Sequence, residues 1–228
     1  MRFRAILFDA AETLFTTRGS VGEIYGSIAR QYGSKASAET IQAAFARQFR
    51  GEGPLSTEDQ KRWWKDLVYR VFSEVGMVSN FDQFFDQVYD RFRGSQGWVL
   101  FPETREVLAE LNRRDFKLGV ISNFDDRAYS VMRSLDILQF FKSVTLSSET
   151  GYCKPDREIF DAAVRALGVA APEVLLVGDS LRDDVEAAIR AGLSAVLIDR
   201  RNRHETANHV RRITSLNELL ALLPKDPS

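Results

Sequence analysis

The stretch Ile6-Leu7-Phe8-Asp9-Ala10-Ala11-Glu12-Thr13-Leu14 decides how this chain is interpreted. A run of apolar, strand-forming residues ends on Asp9, a carboxylate that can attack phosphorus. Two residues later stands Ala11, at the place where a second carboxylate would be most useful as a proton donor. The segment therefore predicts a buried strand that presents a nucleophile without the acid that would assist it.

Four further apolar runs follow, and from the first of these onward they alternate with segments of helical period. The five runs are residues 5–8, 118–121, 144–146, 174–177 and 195–198. This alternation is typical of βαβ units, and it predicts an α/β fold with a Rossmann-like parallel sheet flanked by helices on both faces. The clearest helical stripe follows the third run: Ile159, Phe160, Ala163, Val164 and Leu167. A last helix is predicted at 216–223, ended by Pro224.

Residues 16–98 have the pattern of an inserted α-helical bundle, which leaves 1–15 and 99–228 to form the core. A serine followed three positions later by a carboxylate predicts helix starts at Ser20, Ser56 and Ser79. Two apolar stripes predict packed helices, because an amphipathic helix must bury one face. They are Trp64, Leu67, Val68, Val71, Phe72 and Val75, and Phe81, Phe84, Phe85, Val88, Tyr89 and Phe92.

The composition excludes several classes of partner. The chain has 228 residues, 44% hydrophobic, with 31 basic against 32 acidic residues, so no net field favours nucleic acid or a membrane surface. No apolar run approaches the roughly 20 residues that span a bilayer, and the start of the chain leads into a strand, so we expect a cytoplasmic protein. Cys153 is the only cysteine, and His204 and His209 lie in a polar tail, which argues against a zinc site. A monomer and a homodimer are equally compatible with this composition.

Chemically useful side chains stand at the ends of the predicted strands. Asp9 ends the first strand, Ser122 and Asn123 end the second, Lys154 follows the third, and Asp179 ends the fourth. Because ligands of an open parallel sheet bind outside the carboxyl ends of its strands, these residues are expected to converge. A carboxylate nucleophile, oxygen ligands for a divalent cation, a lysine and a hydroxyl donor suit the transfer of a phosphoryl group to aspartate.

Four segments, in order, look like the motifs of the haloacid dehalogenase-like hydrolases. They are Phe8-Asp9-Ala10-Ala11-Glu12-Thr13-Leu14, Val120-Ile121-Ser122-Asn123, Gly151-Tyr152-Cys153-Lys154-Pro155-Asp156 and Val177-Gly178-Asp179-Ser180-Leu181-Arg182-Asp183-Asp184. The resemblance covers essentially the whole chain, and the insertion after the first motif is similar to the helical cap of subfamily I. It implies a hydrolase that acts on a small phosphorylated metabolite with Mg²⁺ as cofactor, through an aspartyl-phosphate.

The resemblance also implies a metal site. Asp9 would be both the nucleophile and a magnesium ligand, and the Ala11 backbone carbonyl and Asp179 would complete the protein ligands. Asp183 and Asp184 both stand where the fourth motif allows its second acid, which serves the water shell of the metal. The spacing from Gly-Asp favours Asp184, although the sequence leaves both open.

The same resemblance implies a phosphate site next to the metal. Ser122 and the Asn123 amide would bind the phosphoryl oxygens. Lys154 would neutralise negative charge on both the nucleophile and the phosphate, so it is counted with the catalytic residues as well as with the phosphate-binding ones.

The chain departs from the family pattern at Ala11. In the phosphatases of the family a second aspartate at this place protonates the leaving oxygen and later activates water, and a positioned general acid or base contributes roughly 10²–10⁴ in rate. A methyl group can do neither. We therefore expect weak activity on alkyl phosphates, whose leaving groups need a proton. Glu12 replaces the usual glycine of the motif, but as the next residue along it is expected to point away.

Two other functions stay open. One is a catalytically feeble protein that binds a phosphorylated metabolite for regulation. The other is cleavage of carbon–phosphorus or carbon–halogen bonds, because those members of the family also lack the second aspartate. The dehalogenases of the family dispense with the magnesium site. The intact Gly178-Asp179 pair, which belongs to that site, therefore argues against cleavage of carbon–halogen bonds. Phosphonate cleavage needs a reactive cap lysine, and Lys35, Lys61 and Lys65 are expected to be ordinary surface residues.

Overall fold

The computed structural model of the chain describes residues 3–49, 57–203 and 210–224. The strands are β1 Ala5–Phe8, β2 Phe15–Thr17, β3 Trp98–Leu100, β4 Lys117–Ser122, β5 Ser143–Leu146, β6 Val174–Gly178, β7 Ser194–Ile198 and β8 Arg211–Ile213. The α-helices are α1 Val21–Ala29, α2 Ala38–Gln48, α3 Thr57–Val75, α4 Phe81–Arg91, α5 Thr104–Arg113, α6 Arg127–Ser134, α7 Ser147–Thr150, α8 Arg157–Leu167, α9 Ala187–Arg190 and α10 Leu216–Leu222. Within the described ranges, no helix is both long and apolar enough to cross a membrane.

Six strands form one parallel sheet in the order β5-β4-β1-β6-β7-β8. The α/β class and the Rossmann-like sheet predicted from the sequence are confirmed. Strand β1 lies between β4 and β6, with Phe8 in register with both Val120 and Val177. All four residues of β1 are buried, as expected for a strand covered on both faces.

The sequence missed β8 at one edge of this sheet. Arg211 and Arg212 are exposed and only Ile213 is buried, so the strand lacks the apolar run that marks the others. Charged residues on an edge strand discourage pairing with another chain. Strands β2 and β3, which pair as a separate two-stranded sheet, are each only three residues long and were also missed.

The predicted stripe of α8 is confirmed as the contact face of that helix. Ile159, Phe160 and Leu167 are completely buried and belong to one cluster with Leu7 and Leu176 of the sheet. Fully burying side chains of this size contributes about 1.5–3 kcal/mol each. Helix α8 packs chiefly against β5 and β4, and its buried face joins the cluster that also contains side chains of β1 and β6.

The chain divides into two compact units. One contains Met1–Thr16, Leu100–Asp126 and Asp136–Ser228, and the other contains Thr17–Val99 and Arg127–Leu135. The second unit is mainly helical, and it includes α6, which the sequence assigns to the core.

The aromatic stripes of the helical unit form its core, as predicted. Phe72 and Phe84 are fully buried, with ring centroids 4.7 Å apart in an edge-to-face arrangement. Tyr25 from α1 stacks against Phe72 and meets Phe92 edge-on. Such aromatic pairs contribute about 0.5–1.5 kcal/mol beyond the area they bury. These contacts confirm the packed-bundle interpretation of the two stripes.

The predicted helix starts had three different outcomes. The capping box at Ser20 is confirmed: its hydroxyl accepts a hydrogen bond from the backbone of Glu23, whose carboxylate accepts one from Ser20. The start at Ser79 is wrong, because α4 is capped by Asn80 in the left-handed conformation, and the Ser79 hydroxyl donates to the Tyr32 carbonyl instead. Ser56 lies outside the described residues.

Helix α2 was not predicted at all. Its N-cap is Ser37, whose hydroxyl accepts a hydrogen bond from the backbone amide of Thr40. The residue three positions after the cap is a threonine rather than an acid, so a search for capping boxes does not find this start.

Candidate active site

The carboxyl ends of three neighbouring strands bring Asp9, Ser122 and Asp179 together. Asp9 directly follows β1, Ser122 is the last residue of β4, and Asp179 directly follows β6. The backbone of Asp9 continues the ladder by donating to the Val177 carbonyl at 2.9 Å. The convergence expected from the position of these residues at the ends of predicted strands is therefore present in the structure.

Three carboxylates meet at this edge of the sheet. Asp9, Asp179 and Asp184 each offer an oxygen within 4.8 Å of the others. Asp9 and Asp184 are buried, whereas the side chain of Asp179 is 25% exposed. Asp183, the other acid that the sequence left open, instead accepts a hydrogen bond from the Ser180 hydroxyl and is not part of this cluster.

The position of Asp184 depends on Gly178. A Cβ atom built on Gly178 would lie 2.4 Å from the carboxyl carbon of Asp184, so only glycine allows the strand end to approach this side chain. The backbone amide of Ser180 then donates to Asp184 Oδ2 at 2.9 Å. Residues Leu181–Glu186 form a π-helical turn, a wide turn that is frequent at functional sites.

Lys154 connects two of the three acids. Its Nζ lies 2.6 Å from Asp9 Oδ1 and 2.6 Å from Asp184 Oδ1, and the residue is only 6% exposed. Burial alone would lower the pKa of Lys154, but the charges of Asp184 and Asp9 outweigh burial and raise it. The ammonium is therefore a fixed positive charge and not a proton donor near neutral pH.

The side chain of Asn123 positions Lys154. Its Oδ1 accepts from the Lys154 amide at 2.7 Å, and its Nδ2 donates to the Lys154 carbonyl at 2.9 Å. This paired contact was not foreseen, because it depends on a strand end meeting a loop that lies far along the chain. Ser122 is buried beside it, with Oγ 3.4 Å from Asp9 Oδ1 and within reach of the Phe124 amide.

The acids repel one another in this buried setting. The pKa of Asp9 is raised to about 6, first by burial and then by the Asp184 charge, against the opposing effect of Lys154. Burial, followed by the charges of Asp9 and Asp184, raises the pKa of Asp179 to about 7. Three acids with one ammonium favour an added cation, and an all-oxygen donor set suits a hard ion such as Mg²⁺. The residues present thus fit the magnesium that the sequence predicts.

Ala11 and Glu12 lie in the turn that follows Asp9. Glu12 has a φ of 62°, in the left-handed region, which explains why glycine suits this place. The Glu12 carboxylate accepts a hydrogen bond from Thr16 at 2.6 Å and pairs with Arg201 at 3.3 Å. Thr16 and Arg201 both lie outside the acid cluster, and Ala11 provides no ionisable group.

Two arginines that follow β7 contact Asp179 and the turn after Asp9. They were not identified as site residues from the sequence. Arg203 Nη2 lies 3.7 Å from Asp179 Oδ2, and Arg200 donates to the Thr13 carbonyl at 2.8 Å. The sequence presents both as part of a polar, basic tail. Their position just after a parallel strand was the signal available, because that is where sites of such sheets lie. His204 and His209 lie outside the described residues.

Two lysines of the insertion have acidic partners on the surface of the helical unit. Lys61 pairs with Asp86 at 2.8 Å, and Lys65 pairs with Asp82 at 2.7 Å. Their side chains are 55% and 42% exposed, and Lys35 is exposed as well. These exposed surroundings differ from the desolvated pocket that activates a nucleophilic lysine, so they do not favour phosphonate cleavage.

The fold and the order of the motifs are those of a hydrolase of the haloacid dehalogenase type. The chain belongs to the haloacid dehalogenase-like hydrolases, and the family model matches residues 3–192. It is similar to haloacid dehalogenase-like hydrolase domain-containing protein 3 of Danio rerio, with 30% identity over 96% of each chain. In the sequence, residues 120–127 and 151–160 resemble the corresponding segments of this group of relatives. The comparison confirms that resemblance.

Two further comparisons bear on activity and fold. The chain is 27% identical to the glyceraldehyde 3-phosphate phosphatase of Methanothermobacter thermautotrophicus, over 92% of this chain and 91% of that enzyme. Its fold is similar to the crystal structure of a phosphatase of the same family from Thermococcus onnurineus, with a TM-score of 0.71, 22% identity and full coverage of both chains.

Proposed function

We propose that this hydrolase removes phosphate from a small metabolite through an aspartyl-phosphate on Asp9, with Mg²⁺ as cofactor and with weak activity on alkyl phosphates. The observation that carries the proposal is the contact of one buried ammonium, that of Lys154, with both Asp9 and Asp184 at 2.6 Å. In this arrangement the Asp9 carboxylate is fixed in place as a nucleophile, and a positive charge lies directly beside it. A relative that is a phosphatase of a small phosphorylated aldehyde supports the substrate class.

In the first half-reaction a carboxylate oxygen of Asp9 attacks phosphorus, and the bond from phosphorus to the leaving oxygen breaks. Lys154 orients the nucleophile through Oδ1 and offsets the charge of the incoming phosphoryl group. Ser122 and the backbone amide of Asn123 are proposed to donate hydrogen bonds to the phosphoryl oxygens. The leaving oxygen departs with its electron pair and must take a proton from water, because Ala11 has none to give.

In the second half-reaction water attacks phosphorus and releases the Asp9 carboxylate and phosphate. A base is needed to accept the proton of that water, and position 11 does not supply one. Both half-reactions thus lack the carboxylate that would stand at position 11. Only the rate of the first half-reaction depends on the basicity of the leaving oxygen. Aryl phosphate esters and acyl phosphates, whose leaving oxygens are weakly basic, are the substrates that this site handles best.

Asp9, Asp179 and the Ala11 backbone carbonyl are the proposed magnesium ligands, with Asp184 holding the water shell, and the bound ion would supply Lewis-acid neutralisation of the phosphoryl oxygens. Asp184 is chosen over Asp183 because only Asp184 lies in the acid cluster. We assign residues 16–98 to a cap domain and residues 1–15 and 99–228 to the core that contains the chemistry.

A substrate panel measured with and without Mg²⁺ tests this function. Hydrolysis of p-nitrophenyl phosphate is expected to require Mg²⁺ and to be lost in Asp9→Asn. The pair Asp184→Asn and Asp183→Asn provides a matched control: the first variant should lose activity, and the second should keep it, because Asp183 faces Ser180. Turnover that persists in Asp9→Asn or without a divalent ion would refute the mechanism.

A regulatory binding protein is the second candidate, and Ala11 is the observation that favours it. The phosphate and metal groups are present while the acid that completes turnover is missing. This candidate predicts that calorimetry detects tight binding of a phosphorylated metabolite while no phosphate in the panel is hydrolysed.

A further inference from the structure

The guanidinium of Arg200 is held on three sides inside the core unit, beside residues 10–14, here called the nucleophile loop. Its Nη2 donates to the Thr13 carbonyl at 2.8 Å, and its Nη1 pairs with Glu103 Oε1 at 2.8 Å. The guanidinium carbon lies 3.5 Å from the ring centroid of Phe101. The side chain is only 14% exposed, and the contact with the aromatic ring together with two directed bonds fixes its orientation.

The nucleophile loop depends on side chains from elsewhere for part of its hydrogen bonding. The loop closes on itself through the Leu14 amide, which donates to the Ala10 carbonyl at 2.8 Å. The Leu14 carbonyl accepts from the Thr104 hydroxyl at 2.8 Å. Thr13 is completely buried, so its carbonyl needs a protein donor, and Arg200 supplies it.

The loop also contains a backbone conformation that its surroundings must maintain. Glu12 has a φ of 62°, which is unfavourable for a residue with a side chain. Such a conformation persists where neighbouring contacts over-determine it. The bond from Arg200 to Thr13 holds the residue directly after Glu12, and the residue directly before it is Ala11.

We infer that Arg200 is a positioning residue for catalysis: by holding the Thr13 carbonyl, it fixes the loop that places the Ala11 carbonyl and Asp9. The inference rests on the proposed function, because it assigns Arg200 to that same site. Arg201 offers an internal contrast. It contacts the same loop through Glu12, but its side chain is 65% exposed, and exposed ion pairs contribute little.

Arg200→Met tests the inference, because methionine keeps the apolar stem and removes the donors. The expected result is a fall in kcat of about 100-fold on p-nitrophenyl phosphate, the loss caused by a displacement of about 1 Å in a positioned group. KM should change little, and the affinity for Mg²⁺ alone, measured by calorimetry, should fall. Millimolar guanidinium should restore part of the rate in Arg200→Ala.

Two variants serve as matched controls. Arg114 is as buried as Arg200, at 10% exposure, and also binds a glutamate and a carbonyl, those of Glu110 and Leu220. Arg114→Met should lower stability without a selective loss of kcat, and its alanine variant should not respond to guanidinium. Arg201→Met should retain the wild-type kcat.

Amide hydrogen exchange at Leu14 provides a readout that does not require turnover. Faster exchange in Arg200→Met than in Arg201→Met is expected, because the loop loses its donor. A folded Arg200→Met with wild-type kcat would overturn the inference. If the wild-type protein hydrolyses no phosphate, the proposed function fails, and unchanged Leu14 exchange in Arg200→Met would then overturn the positioning role separately.

Discussion

Replacing Ala11 with aspartate is the most direct test of the chemistry. The change adds a carboxyl group two residues after Asp9, in the nucleophile loop. Hydrolysis of an alkyl phosphate should rise, because the alkoxide that leaves is strongly basic and needs a proton as its bond to phosphorus breaks. Hydrolysis of p-nitrophenyl phosphate should gain less in the first half-reaction, because nitrophenolate leaves as a weak base.

The size of the gain follows from the surroundings of position 11. A positioned general acid contributes roughly 10²–10⁴ in rate, or about 3–5 kcal/mol of the barrier. The pKa of Asp9 is already raised to about 6 by burial and by Asp184, so a fourth carboxylate adds repulsion but also holds its own proton more tightly. The next residue, Glu12, has a left-handed backbone conformation, which glycine would adopt more easily. We therefore expect a gain at the lower end of this range, about 100-fold in kcat/KM for an alkyl phosphate.

The assay compares kcat/KM for one alkyl and one aryl phosphate in the wild type, Ala11→Asp and Ala11→Asn. The asparagine variant has the same shape but no acidic proton, so it should show no gain. Circular dichroism and Mg²⁺ binding establish that each variant is folded and loaded. Unchanged alkyl phosphate hydrolysis in a folded, magnesium-binding Ala11→Asp variant would refute the reasoning, as would equal wild-type efficiency on both esters.

Three further outcomes follow from the same structure. Rapid mixing of the wild type with p-nitrophenyl phosphate should release about one nitrophenolate per site in a burst before slow turnover, because position 11 provides no base for the second half-reaction. Gly178→Ala should lower the free energy of unfolding by about 1–3 kcal/mol and weaken Mg²⁺ binding, because its Cβ would lie 2.4 Å from the Asp184 carboxyl carbon. Glu103→Gln should lower the free energy of unfolding at neutral pH by about 1.5–3 kcal/mol, the scale of a hydrogen bond to a charged group. Burial raises the pKa of Glu103, but Arg200 outweighs it, so the pKa lies below 4.5 and the stabilising effect is lost as the pH falls through it.

Each of these outcomes has a clear contrary result. Linear product release with no phosphorylated protein on mass spectrometry would exclude slow dephosphorylation. A matched glycine variant, Gly26→Ala, should be tolerated, because its Cβ would be 3.4 Å from the nearest side chain. If Gly178→Ala is tolerated equally well in urea denaturation, the close approach to Asp184 is unimportant. A stability difference for Glu103→Gln that is the same at pH 3 and pH 7 would exclude an ionised Glu103 as its source.

The central sheet could be predicted from the sequence because its strands are buried on both faces, which leaves continuous apolar runs such as 174–177. The same rule failed at β8, where Arg211 and Arg212 face solvent. Strand ends also predicted the convergence of Asp9 and Asp179, because parallel strands end at one edge of a sheet.

Other features of the site depend on geometry that motif spacing does not contain. Asp183 and Asp184 differ by one position, and the π-helical turn, together with the space left by Gly178, decides which of them reaches the cluster. The contact of Arg200 with Thr13 joins residues 187 positions apart. No local pattern indicates such a pair, because it exists only after β7 has been added to the sheet.

The place of β1 in the sheet has a consequence for biosynthesis. Residues Ala5–Phe8 are made well before both of their neighbours in the sheet, Lys117–Ser122 and Val174–Gly178. A growing chain therefore carries an unpaired apolar strand until these later strands have been made, and such strands are prone to aggregate and to recruit chaperones. The segment that holds Asp9 is thus translated long before the two strands that complete its place in the sheet.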